Sequence, residues 1–153
     1  TSAEPTLLWL HENAEGLKVE IEEETEQIGA LALQGPRSLN ILSDITDGPL
    51  AELCYFHVIQ TQIGGIAVHI SRTGYTGDLG YEIWVDASDA VPLWDTIVRN
   101  GVQHGLAPAG LLALDIARVE AGLREANRLI QESTTAENSG LPAPGSSSDS
   151  EKP

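Results

Sequence analysis

Apolar and polar residues alternate with a period of two over residues 18–22, 57–61, 66–70 and 81–85, the pattern of a strand with one buried face. Residues 28–33 form a further apolar run of strand length. Gly64-Gly65 separates two of these segments and predicts a tight hairpin. Helical spacing takes over elsewhere. Residues 6–15 read as a short helix with Thr6 as cap and Leu7, Leu8 and Leu10 on its apolar side. Gly35-Pro36 turns the chain into a helix that continues over 38–42, with Pro36 early in it. Asp86 or Ser88 caps a third helix, whose stripe is Ala90, Val91, Trp94, Ile97 and Val98 and whose stop is Gly101. Pro108 opens a fourth, with Leu112, Ile116, Val119 and Leu123 directed at the core. No internal repeat is present. The expected fold is α+β: one domain with an antiparallel or mixed sheet and helices against it.

Composition sets limits on this picture. From residue 132 the chain is Ser-, Pro- and Gly-rich with almost nothing apolar to bury, so 1–131 is expected to fold and 132–153 to be a disordered tail. The net charge is −15, from 23 acids against 8 bases. That argues against a basic groove for nucleic acid and disfavours an anionic membrane surface. The acids crowd between Glu12 and Glu26, which reads as a solvated strand end and loop. Cys54 is the single cysteine, so no internal disulfide forms, and a reducing, cytoplasmic setting is expected. It lies in the apolar run 53–56 and is expected to be a packed thiol. The four histidines show no ligand spacing, and no metal site is expected.

The densest chemistry lies in 70–83. Gly74, Gly77 and Gly80 punctuate a loop between two alternating segments, and Glu82 follows inside the second. Glycine lets a ligand or a second backbone approach closely. Alternation puts Tyr81, Ile83 and Val85 on the core face, and Glu82 and Trp84 together on the other. An acid beside an aromatic suits a flat heterocycle, which stacks on the ring while the carboxylate accepts paired N–H donors. Tyr75 lies in the loop and either lines the same site or locks the loop against the sheet. On the last helix Asp115 and Arg118, and Glu120 and Arg124, are spaced to pair structurally.

Three words along the chain resemble one family, in order. They are R-T-G-Y-T-G-D-L-G-Y-E-I at 72–83, A-L-Q-G-P at 32–36, and the helix word carrying Gly110-Leu111, Asp115 and 118–123. Together they resemble the glycine-cleavage T-protein family, tetrahydrofolate-dependent aminomethyltransferases, over residues 6–123. The resemblance implies the same fold class and tetrahydrofolate as cofactor, with Glu82 on the pteridine and Tyr75 and Trp84 shaping the pocket. It implies a small amine or methyl donor, which in T-protein is an aminomethyl group on a lipoyl carrier protein.

The pattern departs from the family at two places. Leu114 stands where the family carries an arginine of its ligand site, and Asp78-Leu79 where it has two acids. A leucine cannot replace a guanidinium's fork of donors, which points to a divergent branch acting on another methyl or methylene donor. The family's catalytic aspartate lies upstream of the A-L-Q-G-P word, so no catalytic residue is assigned here. The chain alone is expected not to be a competent enzyme. The folate module of a dimethylglycine or sarcosine dehydrogenase, an O-demethylase, and a non-catalytic truncated fragment are the alternatives. A branch that assists iron–sulfur assembly carries K-G-C-Y-x-G-Q-E; the aligned stretch 72–78 here has no cysteine. A part-domain is expected to self-associate through apolar faces and sheet edges.

Overall fold

The computed structural model describes residues 3–123. Its centre is a four-stranded antiparallel sheet in the order β1-β4-β3-β2, with β1 at Ile28–Gln34, β2 at Val58–Ile63, β3 at Ile66–Ser71 and β4 at Gly80–Asp86. Helices α1 (Glu4–Asn13), α2 (Ser38–Ile45), α3 (Ala90–Gly101) and α4 (Leu111–Glu120) complete the expected α+β architecture. Gly64 and Gly65 both take positive φ, 57° and 86°, the turn that matches the twist of a two-residue hairpin between β2 and β3.

Strand parity divides the sheet cleanly. Tyr81, Ile83 and Val85 are buried with Leu33, Val68 and Ile70 against α2 and α3. Each such side chain contributes roughly 1.5–3 kcal/mol on burial. Burial pushes the Tyr81 phenol above its ordinary value, and the positive charge of Arg72 partly offsets that. The opposite face carries the rows Ala32–Glu82–Ser71–Val58 and Ala30–Trp84–His69–Gln60. Glu82 therefore stands on a central strand between two short side chains.

Several expectations need correction. Residues 18–22 form no strand; their alternation finds no partner strand among the described residues, and a strand is held by its ladder. Helix α1 starts at Glu4 with Ala3 at its cap, because Pro5 suits the first turn; Thr6 lies inside it, and none of its residues is buried. Pro36 lies in the turn before α2, not in the helix. Asp86 caps the short turn Ala87–Asp89 through Ser88, and Asp89 precedes α3. On α3 the buried side is Leu93, Ile97 and Gly101, while Val91 and Trp94 are 69% and 44% exposed. Of the expected core stripe on α4, Leu112, Ile116 and Val119 face outward, 80%, 60% and 55% exposed, while Leu123, just past the helix, is half-buried. The helix's more buried side is Leu114, Ala117 and Arg118, and Ala121 meets the glycine loop at Gly77. Cys54 is exposed rather than packed, because 53–56 is a loop from which only Leu53 turns inward. The expected tail, 132–153, and the Glu120–Arg124 pair, through Arg124, lie outside the described residues.

Candidate functional site

The site grows from the end of β3. Ser71 closes that strand beside Glu82, on the sheet face away from α2 and α3, and is itself buried. Thr73 follows at the start of the loop. Its hydroxyl donates to Glu82 Oε2 at 2.6 Å and is hydrogen-bonded to Ser71 Oγ. A hydroxyl has one proton. Thr73 spends its proton on Glu82, so Ser71 donates to Thr73 in a chain that ends on the carboxylate. Among the described residues Glu82 Oε1 keeps its acceptor capacity, and the flanking Ala32 and Ser71 are small.

Trp84 lies two residues on, half-buried on the same face, as strand parity predicted. Beside it Gln60 Nε2 and His69 Nε2 meet at 2.6 Å across β2 and β3. The amide donates, which puts the ring proton of His69 on Nδ1. Tyr75 sits exposed in the glycine loop. The structure thus brings Glu82 and Trp84 to one surface and sets Tyr75 in the adjoining loop.

Gln34, the last residue of β1, was not among the residues the sequence singled out. Its side chain Nε2 donates to Thr73 O at 3.3 Å and Tyr81 O at 3.2 Å, and Oε1 accepts from Thr76 Oγ1 at 3.4 Å. A Cβ at Gly74 or at Gly80 would overlap Gln34 Oε1. Two of the three loop glycines are thus explained by close approach of one carboxamide. The sequence held only its place in A-L-Q-G-P, 39 and 47 positions from the groups it touches.

On α4, Arg118 is buried and its Nε donates to Asp115 Oδ1 at 2.7 Å, so the spaced pair forms as expected. Nη1 also donates to Leu123 O, closing the helix end. Leu114 is half-buried on the same helix. His104 pairs with Asp44 at 2.7 Å, away from the open face, and ties the turn Val102–His104 to α2. No group of three or more His, Cys, Asp or Glu among the described residues could hold a metal ion. No described helix is long and apolar enough to cross a membrane.

Comparison with known proteins agrees with this arrangement. The model of the GCVT N-terminal domain family matches residues 1–143. The aminomethyltransferase of Moorella thermoacetica is 44% identical over 115 residues, covering 75% of this chain and 31% of that protein. That of Caldanaerobacter subterraneus is 41% identical over 134 residues, 87% of this chain and 36% of its own length. That of Bacillus subtilis is 43% identical over 118 residues, with 76% and 32% covered. The chain spans about a third of the length of these curated relatives. Among solved structures, the heterotetrameric sarcosine oxidase of Corynebacterium sp. U-96 superposes with a TM-score of 0.57 at 21% identity, over 69% of this chain and 54% of that one, a likeness of fold. The chain belongs to the glycine-cleavage T-protein family, whose GCVT N-terminal domain it carries.

Proposed function

We propose that this chain supplies the tetrahydrofolate-binding surface of a one-carbon transferase that moves an aminomethyl or methyl group. The observation that carries the reading is Glu82. Its carboxylate is braced on one oxygen by Thr73 and, among the described residues, open on the other, half-buried on a central strand with Trp84 beside it. That acceptor fits a pteridine edge, which offers a ring N–H and an exocyclic amine to a carboxylate. Ala32, exposed beside Glu82, is where a flat ring would lie, Trp84 would offer a face to stack on, and Tyr75 would close the loop side.

When bound, tetrahydrofolate supplies a nucleophilic nitrogen that takes up the one-carbon unit. The residues of this chain fix its orientation and hold their hydrogen-bond acceptors in place beforehand, which removes reorganisation from the reaction. No catalytic residue is assigned to the chain, and the donor is a small amine or methyl compound. A lipoyl carrier protein presenting an aminomethyl group is the partner that family membership favours. The reading sets this chemistry in the cytoplasm, where a lone exposed thiol such as Cys54 stays reduced.

Calorimetric titration of reduced tetrahydrofolate into the full chain, beside Glu82→Ala, tests the proposal. Loss of a charge-assisted pair of hydrogen bonds lowers affinity by at least about thirtyfold. A folded chain that takes up no tetrahydrofolate, or a Glu82→Ala variant that binds as well as wild type, overturns it.

A further inference from the structure

We propose that Gln34 is the positioning residue of this site: its carboxamide fixes the loop after β3 and, through Thr73, the direction of the Glu82 carboxylate. The inference rests on the folate reading for its affinity readout only; its geometric content stands without a ligand.

A primary amide has two N–H donors and one carbonyl acceptor. Gln34 places both donors on main-chain oxygens, Thr73 O at the start of the loop and Tyr81 O in β4, and its acceptor on the Thr76 hydroxyl. One side chain thus ties together the end of β1, two points of the loop and the strand that carries Glu82. Thr73 is the shared member. Its carbonyl is held by Gln34, and its hydroxyl donates to Glu82 Oε2. Releasing the carbonyl frees the Thr73 peptide to rotate, and the hydroxyl then leaves the carboxylate. Gly74 and Gly80 form the slot that the carboxamide fills, since a Cβ at either would displace Oε1. Gln34 itself touches main chain and Thr76, so its effect on ligand is indirect.

The chemistry also dictates an amide rather than an acid. A glutamate of the same shape has no donors when ionised and would turn two acceptors toward Thr73 O and Tyr81 O. Gln34→Glu is therefore the sharp test, and Gln34→Met, which fills the slot without hydrogen bonds, is the second variant in case the first folds poorly.

Two measurements are made on the full chain. Three-bond couplings report the Thr73 χ1 rotamer in the absence of ligand. Calorimetry reports tetrahydrofolate affinity in wild-type and Glu82→Ala backgrounds. The expected result is one fixed Thr73 rotamer in wild type and an averaged one in both Gln34 variants. Affinity falls about tenfold or more in Gln34→Glu, with no further fall when Glu82 is already alanine. A Thr73 rotamer unchanged in both variants overturns the proposal. So does an equal loss of affinity with and without Glu82, which would mean that Gln34 acts independently. If wild type takes up no tetrahydrofolate, the folate reading fails by itself, and the rotamer data still decide for or against Gln34.

Discussion

Asp86 shows how much one exposed side chain can organise. It ends β4, and its Oδ1 accepts from Ser88 N at 2.9 Å and Ser88 Oγ at 2.6 Å. The Ser88 hydroxyl and then the Ser88 amide hold its carboxyl below the ordinary carboxylate value. A depressed value means that the folded state prefers the charged form. The resulting stabilisation is fully present above the ordinary value of about 3.9 and is lost as pH falls through the depressed one. Asp86→Ala is expected to lower the melting temperature at neutral pH, with the gap to wild type closing in strong acid where both carry no charge at this position. Melting curves from acid to neutral pH check this; a gap that persists unchanged in strong acid would show that the carboxylate's charge is not what the turn uses. Among the described residues Glu82 differs from Asp86 in having a single bracing hydroxyl, from Thr73, and an oxygen left for something else.

Among the elements, the union of β1, β4 and the loop between β3 and β4 has an internal check. Gly74→Ala and Gly80→Ala act by expelling the Gln34 carboxamide. Either is expected to cost about 1–3 kcal/mol in urea unfolding. In a Gln34→Ala background, where the slot is empty, the same change is expected to cost under about 0.5 kcal/mol. Undiminished cost there would assign the strain to backbone instead. The strands were legible because β2, β3 and β4 alternate, β1 is an apolar run of strand length, and the Gly64-Gly65 turn fixes the β2–β3 register. The placement of Glu82 and Trp84 on one face followed from parity alone. Gln34 was not legible, because a slot formed by residues 74 and 80 exists only once β1 lies against β4. The segment 18–22 has the period of a strand but lacks a partner in the described fold, and alternation cannot report that.

For the molecule as a whole, α4 poses the sharpest question. The helix is apolar on two sides. Leu114 and Ala117 lie inward with Arg118, and Leu112, Ile116 and Val119 lie outward. Spacing selected the outward set because its side chains are larger, and spacing cannot say which of two stripes is the covered one. Helix α1 adds exposed Leu8, Trp9 and Leu10. Apolar surface of this extent drives association when two molecules meet, at a gain of roughly 25 cal/mol for each Å² removed from water. The chain is expected to show a concentration-dependent size in light scattering. The paired change Leu112→Lys and Ile116→Lys is expected to abolish it while shifting the melting temperature by less than about 3 °C, since neither side chain is buried. A collapse of the melting temperature in that variant would instead show that the outward stripe is covered within the chain itself. A size that stays concentration-dependent at unchanged melting temperature would move the contact to α1 or to the outer edges of β1 and β2, where, beyond the Thr46–Ile63 bridge, no described strand pairs.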